Sequence, residues 1–347
     1  MLTAENFSEE HIRALQKSSK CDPSIIERTL YAFGLLEALT KVEMPFIFKG
    51  GTSLMLLLSH PRRLSTDVDI LVKPGTDVNG YIEAASKLFP FKKCDEQRRV
   101  GHNKIEKRHF KFIYQSPVTG KDFYILLDVV FEKNPYPSLV RRDIKNDLLL
   151  GEGEFKQALL PNINSVLGDK LTAFAPHTTG ILLNVGKNTE VIKQFYDVAT
   201  LLEEFTDFDE VARSYASVVQ TEIDFREGNM TSDMVLRDTF EAAACIASRG
   251  KIKPEEYPVY IKGIRDLHDH IYAEAYTPEV AAVQAPIILY AVACLLRGQN
   301  FERVTDAEPY LGERYINNAL KPLKFLRRVE PIAYAYSIKA DRLINNL

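Results

Sequence analysis

Two hydrophobic periods run along this chain. Over the first 150 residues the helical and strand periods alternate, and beyond residue 151 only the helical one persists. Apolar positions recur at three- and four-residue spacing over 8–18 and 23–41, and Asp22-Pro23 supplies an N-cap and a first-turn proline. Phe46-Ile47-Phe48 is predicted as a short buried strand, 52–59 as a helix closed by Pro61, 67–72 as a strand and 78–88 as a helix. Residues 91–131 alternate polar and apolar around Thr119-Gly120, the signature of a β-hairpin. A proline-containing break follows at Asn134-Pro135-Tyr136-Pro137. Helices are then predicted over 163–175, 188–204, 208–220, 232–248, 254–275, 278–297, 300–318 and 320–345.

The change of period predicts an α+β protein, with an α/β domain over 1–150 and an all-helical domain over 151–347. Its 347 residues suffice for two substantial cores. A net charge of −3 excludes a basic coat, so any nucleic-acid contact must rest on a local patch. Cys21, Cys94, Cys245 and Cys294 are scattered without zinc-ligand spacing, as expected of reduced thiols in a cytoplasmic protein. The first ten residues hold three glutamates and no apolar core, so no signal peptide is expected there. The most membrane-like stretch, 280–296, is interrupted by Gln284 and Pro286 and reads as a buried helix, so no membrane partner is expected.

Candidate chemistry concentrates at Lys49-Gly50-Gly51-Thr52-Ser53-Leu54 and Ser65-Thr66-Asp67-Val68-Asp69-Ile70. A Gly-Gly turn opening a helix lets backbone N–H groups approach a phosphate, and Thr52 and Ser53 add hydroxyls. Asp67 and Asp69 alternate along a strand and therefore share a face, while Val68, Ile70 and Val72 take the other. Asp is depleted in strands, so the pair reads either as metal ligands or as solvated acids on an edge. Asp128 lies inside the apolar run 124–131, where an unpaired carboxylate is costly. It sits at a solvated strand end or on a cation. Three such carboxylates on adjacent strands suit one or two Mg²⁺ ions bridging triphosphate oxygens.

Farther along, Lys170 falls on the apolar stripe of Ile163, Leu167 and Phe174, so it snorkels or meets an acid or a phosphate. Asp197 lies beside the stripe of Val191, Phe195, Val198 and Leu202. It either pairs with Lys193 one turn away or faces a cleft. Two basic groups read as solvated faces or nucleic-acid contacts: Arg98, Arg99, His102, Lys104, Lys107, Arg108 and Lys111, then Lys321, Lys324 and Arg328. His177 reads as a loop residue close behind the Lys170 helix.

The ordered segments Lys49 to Leu54, Arg63 to Ile70, Lys170-Leu171-Thr172-Ala173 and Lys193-Gln194-Phe195-Tyr196-Asp197-Val198 resemble the AbiEii/AbiGii toxin family of nucleotidyltransferases. The resemblance covers about residues 45–205 and implies a DNA polymerase β-like nucleotidyltransferase core, a mixed sheet with flanking helices, plus a C-terminal helical domain. It implies a bacterial NTP transferase acting as the toxin of a toxin–antitoxin or phage-defence system, with a cognate antitoxin. Some members of that family modify the 3′ end of tRNA. By the same resemblance Gly51 and Ser53 hold phosphate, Asp67 and Asp69 bind Mg²⁺, Lys170 contacts the triphosphate and Asp197 is the fourth-motif carboxylate. Asp128 matches the third carboxylate of the wider fold. Gln194 departs from the pattern, which has an acid three residues before the final Asp.

The expectation is therefore Mg²⁺-dependent transfer of a nucleoside monophosphate from an NTP to an RNA hydroxyl, tRNA first among candidates. Lys49, Gly50, Gly51, Thr52, Ser53 and Lys170 form the nucleotide site, Asp67, Asp69 and Asp128 the metal site, and Asp128 or Asp197 deprotonates the acceptor. Two other readings are transfer to a protein or small molecule, and nucleotide binding without catalysis.

Overall fold

The computed structural model describes residues 1–97, 106–226 and 229–344. It divides into two compact units, one of Met1–Asn162 with Asp269–Ala275, the other of Ile163–His268 with Tyr276–Leu347. The changeover lies beyond the expected residue 150 because Gln157–Pro161 forms a strand that pairs back with Leu139–Asp143.

The first unit is built on a five-stranded mixed sheet. In chain order its strands are β1 (Ile47–Lys49), β2 (Val68–Val72), β3 (Lys93–Gln97), β4 (Lys107–Gln115) and β5 (Asp122–Phe131). In space the order is β1-β2-β5-β4-β3, with β2 and β5 parallel and every other pair antiparallel. The expected hairpin is β4–β5. The strand pattern ahead of it resolves as a third strand, β3. The antiparallel ribbon β6 (Leu139–Asp143) and β7 (Gln157–Pro161) was not expected.

Alternation sets which face is core. Val68, Ile70, Leu127, Val129, Phe110 and Phe112 are all buried. Of the four helices, α1 (Glu9–Ser19), α2 (Pro23–Lys41), α3 (Gly50–Leu57) and α4 (Asn79–Ser86), the long α2 lies over the apolar face. There Tyr31 stacks on Tyr114 with centroids 3.6 Å apart. Tyr114 and Ser116 donate to the Glu27 carboxylate at 3.0 and 2.8 Å. Burial still pushes that carboxyl above the usual range, against those hydrogen bonds.

The second unit is helical: α5 (Ile163–Ala173), α6 (Asn188–Glu204), α7 (Phe208–Asp224), α8 (Ser232–Ala247), α9 (Tyr257–Leu267) and α10 (Pro278–Arg297), then the short α11 (Glu308–Leu311), α12 (Leu326–Val329) and α13 (Pro331–Ile344). Helix α10 is long and apolar enough to cross a membrane by length and composition. Here it packs against α8 and α13, with most of its apolar window buried.

Three predicted helices differ. The helix expected over 254–275 ends at Leu267, because 269–275 pairs with the first unit instead: Leu64 N–H donates to the His270 carbonyl at 2.7 Å and Tyr272 N–H to that of Arg62 at 3.0 Å. Of 300–318 only Glu308–Leu311 is α-helical. The stretch 320–345 is broken into a 3₁₀ segment Asn318–Phe325, α12 and α13. Pro322 and Pro331 lack the N–H that a continuous helix needs.

Candidate active site

In the first unit, register does what spacing alone does not. Asp69 on β2 is the direct partner of Asp128 on β5. Lys49 on β1 faces Asp69 from the other side, and His109 on β4 faces Asp128. Register partners share a face, so Lys49, Asp69, Asp128 and His109 form one polar row across four strands spaced about 4.8 Å apart. Asp67 stands just ahead of β2, two residues before Asp69. The two apolar neighbours of each row carboxylate are fully buried, Val68 and Ile70 around Asp69, Leu127 and Val129 around Asp128.

Neighbouring groups hold the carboxylates of Asp128 and Asp67. His109 Nδ1 lies 2.6 Å from Asp128 Oδ1; with the carboxylate ionised, Nδ1–H is the donor. Arg28 of α2 donates to Asp67 at 3.3 Å. Thr52 Oγ1 donates to the Asp67 carbonyl at 2.6 Å and so ties the start of α3 to the start of β2.

The Gly-Gly turn meets this row closely. Gly50 has φ +78°, a left-handed value, and a Cβ there would overlap the Asp69 carboxylate. A Cβ at Gly51 would sit 2.5 Å from Nη2 of Arg63, so that buried guanidinium covers the turn. The backbone bridge between Arg63 and Ile271 fixes the segment that carries it. Thr52 and Ser53 are themselves fully buried, and Ser53 donates to the Gly50 carbonyl at 2.7 Å. Both hydroxyls shape the turn from within.

The donor chemistry suits a hard divalent cation. Asp69 and Asp128 are register partners on adjacent strands, and the missing side chain at Gly50 lets the Asp69 carboxylate lie against the turn. Among the described residues, no three His, Cys, Asp or Glu side chains are gathered closely enough to hold an ion unaided. Mg²⁺ needs no such cage, since one or two carboxylates with water and substrate phosphate complete its shell. A groove of about 680 Å³ lies elsewhere on this unit, bordered by Ile47, Leu71, Lys73 and Glu132, and none of the three aspartates lines it.

In the second unit, Lys170 of α5 and Asp197 of α6 form an ion pair, Nζ to Oδ2 2.9 Å, with side chains 8% and 1% exposed. Gln194 accepts from the same ammonium at 2.8 Å. Of the open readings for Lys170, the acid is the partner found. The neutral Gln194 leaves one carboxylate for one ammonium, where an acid would put two. His177 donates its backbone N–H to Asp238 at 2.7 Å and places Nδ1 2.7 Å from the same carboxylate, fastening the loop after α5 to α8.

Reading the sequence missed His109, Arg28 and Arg63. The alternation of β4 puts His109 on the polar face, a signal that was present, but its lateral match to Asp128 needs the register. Two members of the first basic group have partners within the unit. Arg108 pairs with Glu96 at 2.8 Å, and Lys111 lies 4.4 Å from the Tyr124 ring centre. Arg98, Arg99, His102 and Lys104 lie outside the described residues.

No curated protein matches the chain. Two crystal structures from Helicobacter pylori are similar to it. JHP933 is 13% identical, with 78% of this chain and 93% of that one covered and a TM-score of 0.43. A proposed nucleotidyltransferase is 12% identical, with 79% and 99% covered and a TM-score of 0.46. Residues 35–290 match the family described as nucleotidyl transferase AbiEii toxin, type IV TA system, a span that includes Gly50, Asp67, Asp69, Asp128, Lys170 and Asp197. With most of its length inside that match, the chain belongs to the AbiEii nucleotidyl transferase toxin family of type IV toxin–antitoxin systems.

Proposed function

We propose that the protein transfers a nucleoside monophosphate from an NTP to a hydroxyl of RNA, with Mg²⁺ at the aspartate row, and that tRNA is the first acceptor to test. The observation that carries this is the register match of Asp69 with Asp128, beside a left-handed Gly50 that no larger residue could replace without displacing Asp69. Asp69 and Asp128, with Asp67 beside them, would hold Mg²⁺, which when bound offsets triphosphate charge and acidifies an acceptor hydroxyl.

The chain's own groups do the rest. The backbone of Gly50 and Gly51 lets a phosphate come close, and Arg63 sets a positive charge at that turn. In the reaction the acceptor oxygen bonds to the α-phosphorus, the bond to the bridging oxygen breaks, and pyrophosphate leaves. The hydroxyl proton passes to a carboxylate, and Asp128 is the candidate base. His109 is a positioning residue, since its contact fixes the direction of the Asp128 oxygens. A cognate antitoxin is the counterpart that the family assignment brings with it.

The test is label transfer from each of four α-labelled NTPs, with Mg²⁺, to total tRNA and to total protein in separate reactions. Label on tRNA is the expected result. Label on protein alone would move the acceptor to another class; NTP binding without pyrophosphate release in any pool would favour a binding protein.

A further inference from the structure

The family match ends at residue 290, and beyond it the second unit carries a groove of about 940 Å³. Arg314, Lys321, Lys324, Arg327 and Arg328 line it, and all five are exposed. Among the described residues none of these five has an ion-pair partner. The acid that shares the lining, Glu313, is already bonded to Arg342. The whole chain carries −3, so this concentration of positive charge is local.

The groove is built, not a loose run of charges. Tyr315, Phe325 and Tyr334 also line it. Tyr334 donates to the Glu313 carbonyl at 2.7 Å, and the Tyr315 hydroxyl lies 2.7 Å from Ser337 Oγ. Asp341, fully buried, accepts from the N–H groups of Ile316 and Asn317 at 2.6 and 3.0 Å, which pins the loop carrying Arg314. The 3₁₀ segment Asn318–Phe325 and α12 present the other four cations in place of the single helix face expected from the sequence.

Like charges in one concavity repel, and among the described residues none of the five is ion-paired to an acid. A polyanion does so, and its release of counterions makes binding favourable at low salt. A bilayer would meet such charges on a protruding surface, whereas these line a hollow that also offers an aromatic ring, Phe325, for a base. We propose that this groove docks the phosphate backbone of the RNA acceptor; the inference rests on the RNA-acceptor reading above.

The experiment is fluorescence anisotropy of labelled tRNA with the full chain over a range of KCl, for wild type and for the triple variant Lys321→Glu/Lys324→Glu/Arg328→Glu. Arg314→Ala and Arg327→Ala are measured separately as milder changes. The triple variant should bind at least about tenfold more weakly near 100 mM salt, and its slope of log affinity against log salt should flatten by about two to three. Each alanine variant should flatten it by about one, with thermal midpoints unchanged. Equal affinity and slope in all variants would overturn the proposal. So would unchanged tRNA binding with lost sedimentation on phosphatidylserine vesicles. Binding is read without turnover. A wild type that binds tRNA through the groove yet labels none would sink the acceptor reading alone, and equal labelling of tRNA by wild type and triple variant would sink the groove alone.

Discussion

Gly50 is the residue on which the aspartate row depends most narrowly. Its φ of +78° disfavours any side chain, and the space a Cβ needs is taken by the Asp69 carboxylate. Gly50→Ala should therefore cost about 1–2 kcal/mol of stability from the left-handed backbone alone. Its effect on transfer should be larger, on the order of a hundredfold, because a shift of about 1 Å in a reacting group costs that much. Urea unfolding and single-turnover label transfer measure the two; a full loss of stability with normal turnover in the folded fraction would contradict this role. The sequence made the Gly-Gly turn and the Asp67/Asp69 pair legible, since glycine pairs and closely spaced acids beside an apolar strand are unusual. It did not reveal that Thr52 and Ser53 turn inward, because a hydroxyl at a helix start serves a ligand or a backbone carbonyl equally well.

Among elements, α5 and α6 are joined by a buried ion pair, Lys170 with Asp197. Removing Asp197 leaves the buried Lys170 ammonium with the neutral Gln194 in place of its acid. Asp197→Ala should destabilise by about 3–5 kcal/mol, while Lys170→Met/Asp197→Leu should recover most of that. Equilibrium urea denaturation checks both, and a double variant as unstable as Asp197→Ala would show that the cost is lost packing. Helices α2, α6 and α10 were legible in the sequence to the residue from their helical spacing, with Asp22-Pro23 marking the start of α2 and Thr277-Pro278 and Gly298 the two ends of α10. Elements stabilised by distant partners were not. The ribbon β6–β7 and the stretch 269–275 carry no strong period of their own, and backbone bonds to remote residues define them. The last segment failed differently, since its helical spacing is real but Pro322 and Pro331 divide it.

On the scale of the whole molecule, the division between α/β and helical parts follows the change of period seen in the sequence, but the chain crosses it more than once. Asp269–Ala275 belongs to the first unit although helices surround it in sequence. Its bonds to Arg62 and Leu64 bracket Arg63, the guanidinium over the Gly51 turn, so a segment far along the chain completes the candidate site. Charge is distributed just as unevenly: a net charge of −3 coexists with five exposed cations lining one groove, which is why whole-chain charge excludes a basic coat and says nothing against a local one. The central claim is that the Asp69–Asp128 row is the reaction centre. The most direct measurement is transfer of α-labelled NTP to tRNA by wild type, Asp69→Asn and Asp128→Asn across a Mg²⁺ titration, with thermal midpoints recorded for each. Both variants should fold and lose transfer by at least about a hundredfold, with any residual activity needing more Mg²⁺. Folded variants that transfer label at the wild-type rate and Mg²⁺ dependence would contradict the account.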